Sequence, residues 1–402
     1  MNRREFESRD LRDCIDRGMV DGENGRRDES RRGTQECVRH ERFDIIAAEG
    51  DCSMDMDKLM SFMGKLVGDL GAMMSIGPML IGEKLGLYKA LATGGSMSPG
   101  ELAAATNTNE RYVREWLCSQ AASGFVEYDA ATSKFSMTEE KAAALAHEGS
   151  PVYFLGAVDV AVAMMKSEPR ILEAFRSGDG VGWHEHDQCL FRGTERFFRP
   201  GYMRHLLTEW IPSLGGVKEK LEAGAKVADV GCGHGASTIL MAQAFPKSRF
   251  FGFDYHGPSI EYARKAAEEA GVGGRATFAV ASAKEYPGKD YALVAFFDCL
   301  HDMGDPAGAS KHVHSTLAKD GVWMVVEPFA GDHVEDNLNP VGRVFYSAST
   351  FLCTPASKSQ EVGLALGAQA GEARLKKVIA EGGFESIRRA AETPFNLVLE
   401  AR

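Results

Sequence analysis

The run Lys226-Val227-Ala228-Asp229-Val230-Gly231-Cys232-Gly233-His234-Gly235-Ala236 decides the fold. A short apolar stretch ends in three glycines, and Ser237 to Phe245 follows with helical character until Pro246 stops it. The reading is strand, tight turn, helix. Glycines let the backbone turn sharply and come close to a ligand, and the helix start offers free N–H groups. The next apolar run, Arg249 to Asp254, ends in a carboxylate 19 residues after Gly235. That spacing suits an acid set to bind ribose hydroxyls in a nucleotide-binding α/β fold.

Further units follow in the same rhythm. A helix is expected over 258–270, strands over 275–280, 290–297 and 322–327, a helix over 306–318, and a closing antiparallel pair at 385–389 and 395–400. Alternating βα units with apolar strands predict a doubly wound, mostly parallel sheet, seven-stranded once the closing pair is added. Its ligand edge gathers Asp229, Gly231, Cys232, Gly233, Gly235, Asp254 and Tyr255, then Phe297 and Asp298 at the end of strand four. Residues 331–366 are long for a connection, and loops of that size over a sheet edge shape sites.

The chain has 402 residues, more than one ordinary core, with 44% hydrophobic and 26% charged residues and a net charge of −11. Such a balance gives no footprint for nucleic acid or an anionic membrane. Eight cysteines without a C-x-x-C pair fit a reducing cytoplasmic setting. The window Val152 to Met165, taken as the most apolar, carries Asp159 and is too short to span a bilayer.

Four segments are expected. Residues 1–55 hold eleven arginines and no lysine among many acids, and read as a disordered extension upstream of a start at Met54, Met56 or Met60. Residues 56–150 open on a helix at 58–71 with many small residues, suited to a homodimer interface or to a core. A second helix is expected from Pro78 to Leu91. A helix capped at Ser98 comes next, then one placing Tyr112, Val113, Trp116, Leu117 and Ala121 on one face, then a hairpin at 124–137. Helix, helix and β-wing is a winged-helix pattern. From Pro78 to Ser150 six basic residues face nine acidic ones, which speaks against DNA. Residues 151–220 read as a helical connector and cap. There Trp183, His184, His186 and Tyr202 suit the wall of a small-molecule pocket. His184, His186 and Cys189 form a compact H-x-H-x-x-C without a distant second pair, so no metal is expected. Residues 221–402 complete the sheet domain.

Asp229 to Gly235 resembles motif I of the class I S-adenosylmethionine (SAM) methyltransferases, which implies SAM as cofactor. The stretch Leu300-His301-Asp302-Met303-Gly304-Asp305 is similar to the Leu-His-Asp-Trp-Ser-Asp block of small-molecule O-methyltransferases with an N-terminal winged-helix dimerisation domain. In that family the histidine is the general base and a glutamate after strand five orients it. The resemblance thus assigns these roles to His301 and Glu327, and puts Asp302 near a small-molecule acceptor. Met303 departs from the family's tryptophan. Where many members carry an acid on the adenine, this chain has Ala281-Ser282-Ala283-Lys284, leaving Ser282 or a backbone group for that contact. Residues 58–402 more closely resemble a bacterial group of winged-helix SAM-dependent methyltransferases. A nicotinamide-dependent oxidoreductase, a SAM-sensing winged-helix regulator and a binding protein with a dead site stay open as alternatives.

Overall fold

Apolar residues alternate between the two faces of the central strands. Leu293 and Ala295 join one core, and Val294 and Phe296 the other. This period of two, apolar on both faces, is what a sheet covered on both sides by helices requires. The computed structural model describes residues 54–402. The expected extension lies outside the described residues apart from its last two. Residues 62–402 make one unit; residues 54–61 fall in another, where Asp55 accepts the Lys58 N–H at 3.1 Å.

The N-terminal part holds α1 (Met56–Met74), α2 (Ile76–Lys84), α3 (Leu87–Gly94), α4 (Pro99–Thr106), α5 (Glu110–Ala122), β1 (Glu127–Asp129), β2 (Lys134–Ser136) and α6 (Glu139–Leu145). Ser98 and Glu101 form the capping box of α4, and Asn109 caps α5. The wing is the antiparallel pair Glu127↔Ser136 to Asp129↔Lys134. Two details differ from expectation. The helix foreseen from Pro78 to Leu91 is two helices, broken at Gly86, whose φ of 70° only glycine adopts freely. Tyr112 is 80% exposed, because Val113, Trp116, Leu117 and Gln120 are the residues of α5 that face the core.

None of the residues of α1 is buried. Together, Met56–Lys84 is long and apolar enough to cross a membrane by length and composition, which the choice of Val152 to Met165 overlooked. The chain turns at Ser75, however, and α2 buries Met79 and Gly82 in the winged-helix core.

The cap consists of α7 (Leu155–Ser177) packed on α8 (Cys189–Gly201), which runs on with wider π-type turns through Tyr202–Trp210. Pro200 lacks the N–H that an α-helix would use there. Arg196 of α8, 2% exposed, binds Asp159 of α7 at 2.5 Å, Glu148 at 2.8 Å and Glu83 of α2. One buried guanidinium thereby ties the cap to the winged helix.

After α9 (Ile211–Ser213) and α10 (Val217–Ala223) the sheet domain alternates β3 (Lys226–Val230), α11 (Ala236–Ala244), β4 (Arg249–Asp254), α12 (Gly257–Glu269), β5 (Ala276–Val280), β6 (Tyr291–Phe297), α13 (Pro306–Thr316) and β7 (Leu317–Pro328). Half of the insertion 331–366 is α14 (Pro340–Phe351) and α15 (Cys353–Lys358) rather than open loop. The chain closes with α16 (Glu372–Glu381), β8 (Ile387–Glu392) and β9 (Asn396–Ala401). The seven strands lie in the order β5-β4-β3-β6-β7-β9-β8, and β9 alone runs antiparallel to its neighbours. The order reverses between β3 and β6, where Val230 pairs with Phe253 on one side and Phe296 on the other. The three strand ends are therefore level, and a crevice opens beyond them.

Candidate functional site

A cavity of about 350 Å³ fills that crevice. The glycine turn forms its floor. Gly231 and Gly235 have φ of 75° and 81°, and a Cβ on either would strike Cys299 or Phe278. Gly233 has φ of 51° and open space where a Cβ would stand, so its bare face borders the cavity. Asp229 sits behind the turn, where its Oδ2 accepts the hydroxyls of Ser237 and Thr238, each at 2.6 Å. It thereby pins the start of α11 to β3. Asp254, at the end of β4, accepts N–H bonds from Gly233 at 2.9 Å and His256 at 2.8 Å. Burial raises its carboxyl, and those two N–H groups pull it back. Asp298 ends β6 at φ of 51°, a strained value for a side chain of this size, and Asn396 of β9 donates to its Oδ1 at 3.0 Å. Burial first, then the Glu327 charge, hold the Asp298 carboxyl well above the usual range.

Burial also pushes the Asp229 carboxyl up to about 6, against the pull of Ser237 and Thr238. An acid whose folded pKa exceeds its unfolded one is held more tightly protonated when folded. Its share of stability is present below about pH 4 and lost as pH rises through about 6. The gap is worth about 2–3 kcal/mol. In cofactor-free protein, Asp229→Asn is expected to remove roughly that much of the stability difference between about pH 4.5 and pH 7.5. Urea unfolding at both values measures it. An unchanged difference would show that the carboxylate is not the titrating group.

Much of the cavity wall is aromatic. Trp183, His184, Phe191, Phe198, Tyr202 and Tyr255 line the cavity together with Cys232, Ser282 and Phe297. His186 is not on the wall; it is buried and its Nδ1 lies 2.7 Å from the Ser167 hydroxyl of α7. The one-turn helix Trp183–Glu185 puts Trp183 and His184 on the cavity, and the chain leaving it at His186 turns that ring away toward Ser167. His184, His186 and Cys189 do not converge as metal ligands.

His301 is 3% exposed and stands behind the wall, whereas Asp302 and Met303 reach it. Glu327 is further back, at the end of β7. Its Oε1 accepts the Leu300 N–H at 2.9 Å, and its Oε2 lies 2.5 Å from His301 Nδ1. Nε2 is left facing Asp302 Oδ1 at 3.1 Å. Burial works against charge on His301, but Asp302 and Glu327 outweigh it and hold the imidazole well above its ordinary value. The site thus contains a relay, Asp302–His301–Glu327, with Asp302 at the cavity end.

Several lining residues went unforeseen. Glu195 and Thr194 arrive on α8, and Ala356, Ser359 and Gln360 on and just after α15. Helical spacing put Glu195 on the face of Phe191, Phe198 and Tyr202, a signal that was there to read. His234, stacked on Tyr262 at 4.1 Å, is kept neutral by burial and His256, its value lowered to about 4. The carboxylates on the wall are Glu195, Asp254, Asp298 and Asp302, and no lysine or arginine lines the cavity among the described residues.

Fold and site together define a nucleoside-binding, doubly wound domain carried behind a winged helix. Residues 221–383 match the model of a methyltransferase domain, and residues 70–147 that of the Rv2258c-like winged HTH domain. No curated protein sequence matches the chain. Among solved structures it is similar to an O-methyltransferase of Nostoc punctiforme (TM-score 0.65, 19% identity, covering 84% of this chain and 98% of that one). It is similar also to mitomycin 7-O-methyltransferase (0.63, 17%, 87% and 100%) and to human N-acetylserotonin methyltransferase in complex with SAM (0.62, 15%, 88% and 99%). The chain is a methyltransferase with the class I fold and an N-terminal winged HTH domain, and SAM is the methyl donor of that class.

Proposed function

We propose that the protein transfers the methyl group of SAM to a hydroxyl of a small planar molecule. One observation carries this reading: a cavity lined by four acidic side chains, of which burial holds Asp298 well above the usual range, and by no lysine or arginine among the described residues abuts the bare face of Gly233. That charge suits a sulfonium and repels the diphosphate of a dinucleotide. Asp254 would hold the ribose hydroxyls, the Gly233 face the amino-acid end, and Ser282 the adenine. The cofactor supplies an electrophilic methyl group. The chain's own work is to align the acceptor, exclude water and take its proton. The aromatic wall from Trp183 to Tyr202 holds a flat ring. Once the His301 imidazole, held well above its ordinary value, has lost its Nε2 proton, the acceptor's proton passes to the Asp302 carboxylate and on to Nε2, and Glu327 fixes the tautomer by holding Nδ1–H. The two flanking carboxylates strengthen His301 as a base toward a phenol, whose ordinary pKa is about 10. Incubation with labelled SAM and fractionated metabolites tests this reading, and a labelled carbon or nitrogen in place of oxygen would contradict it. Binding of NADH but not SAM would favour the oxidoreductase.

We propose further that the protein works in the cytoplasm as a homodimer. Phe62, Met63, Leu66, Val67, Leu70, Met73 and Met74 are exposed along α1, an apolar strip that a second copy would cover. Leu66→Glu with Leu70→Glu is expected to convert dimer to monomer in light scattering after size exclusion. A wild-type monomer would remove the proposal.

A further inference from the structure

Two members of the proposed relay also belong to a second arrangement, through a cysteine that methyl transfer does not require. One ligand atom each of His301, Asp302 and Cys353 lies within 4.8 Å of the others. Cys353 comes from the start of α15, 52 residues beyond His301 in the chain. We propose that these three side chains form a binding site for a zinc-type divalent cation, held by His301 Nε2, Asp302 Oδ1 and Cys353 Sγ.

Four features support a built site. Nε2 and Oδ1 are 3.1 Å apart and Cys353 approaches both, so three potential ligand atoms already converge. Zinc bond lengths of about 2.0–2.3 Å place tetrahedral ligands roughly 3.3–3.8 Å apart; Nε2 and Oδ1 at 3.1 Å are near that spacing, and Sγ, within 4.8 Å of both, needs only a small side-chain shift to reach it. The far nitrogen of His301 is already tied to Glu327 at 2.5 Å, and Glu327 in turn to the Leu300 N–H. A carboxylate behind a histidine is the outer arrangement that orients a metal-binding imidazole and turns its lone pair to the ion. Finally, the two segments are clamped together. Ser357 donates to the Met303 carbonyl at 2.8 Å, and Gln360 to the Asp302 carbonyl at 2.9 Å.

One nitrogen, one oxygen and one sulfur favour zinc, or cobalt as its substitute, over magnesium or calcium. Two carboxylates, Asp302 and Glu327, supply the negative charge. On binding, the Cys353 thiol and the Nε2–H of the His301 imidazolium each give a proton to solvent, and the thiolate and the freed Nε2 enter the coordination shell. A fourth position remains for water. The bound ion takes the Nε2 lone pair that the proposed relay needs. Zinc therefore silences methyl transfer, a consequence that rests on the function proposed above, whereas the binding itself does not.

The test loads chelator-treated full-length protein with Co²⁺ and reads its absorption. One equivalent per chain is expected to give a thiolate-to-cobalt charge-transfer band and the intense visible bands of a tetrahedral centre, both displaced by Zn²⁺. Cys353→Ser should abolish the charge-transfer band, and Asp302→Asn should weaken Co²⁺ binding roughly 10–100-fold. Circular dichroism and thermal melting of each variant report that it is folded, since Asp302 lines the cavity and its replacement can change SAM affinity directly. Cys14, Cys37, Cys52 and the other thiols remain in Cys353→Ser, so a band that persists there would overturn the site as adventitious. Purely octahedral, thiolate-free spectra would overturn it equally. With an acceptor in hand, Zn²⁺ should lower turnover at least tenfold and a chelator restore it. Unchanged turnover in the presence of the cobalt band would overturn the silencing and leave the site standing.

Discussion

His301→Ala is expected to lower turnover by roughly 10²–10⁴-fold while the affinity for SAM changes by no more than a few-fold. The split follows from the geometry. His301 touches neither the glycine turn nor Asp254, and it meets the cavity only through Asp302, 3.1 Å from its Nε2. Its removal leaves the cofactor's contacts in place and takes away the group that accepts the proton. Glu327→Gln should cost a comparable amount, because its one amide oxygen cannot accept from both Leu300 N–H and His301 Nδ1–H, and the amide nitrogen set against the other donor disturbs the tautomer. The pair is measured with an acceptor found by label transfer, using single-turnover rates alongside calorimetry with SAM. Turnover within threefold of wild type in His301→Ala would exclude the base role, and an equal loss of SAM affinity would make His301 structural.

The cofactor half of this site was open to sequence reading because its physics is local. A strand, three glycines and a helix start lie within eleven residues, and Asp254 follows one unit later at the next strand end. The register that levels Val230, Phe253 and Phe296 is a consequence of parallel pairing, so Asp298 could be placed as well. The His301–Glu327 contact was also accessible, since both residues end or follow adjacent parallel strands.

What escaped was set by long-range packing. Nothing near Cys353 in the sequence announces that α15 will bring it to His301. That contact depends on the insertion folding as helices and on Ser357 and Gln360 clamping it to the 302–303 turn. The Arg196 cluster was hidden for the same reason: its partners come from α2, α7 and the segment after α6. His186 and His184 are two residues apart and chemically alike, and only the one-turn helix at Trp183–Glu185 decides which faces ligand and which faces Ser167. At Gly86 the local signal was present but outweighed by the apolar period running across it.

Asp254→Ala is expected to weaken SAM binding by roughly 10–150-fold, the equivalent of losing a charge-assisted hydrogen bond worth about 1.5–3 kcal/mol. The carboxylate has two tasks. It holds the Gly233 and His256 N–H groups at 2.9 and 2.8 Å, which shapes the turn, and it presents its remaining lone pairs to the cavity. Alanine removes both at once. Asp254→Asn separates them, since the amide oxygen can keep one N–H while the amide nitrogen now opposes the other. If ligand contact dominates, Asp254→Asn should bind SAM nearly as poorly as alanine yet melt close to wild type. If shaping the turn dominates, both variants should melt early, and the loss of affinity should track the loss of stability. Calorimetric titration with SAM and with its demethylated product, beside thermal melts without ligand, distinguishes the two. An Asp254→Ala protein that binds SAM as tightly as wild type would place the nucleoside somewhere other than this crevice, and the proposed chemistry at Asp302 and His301 would then have no methyl group within reach.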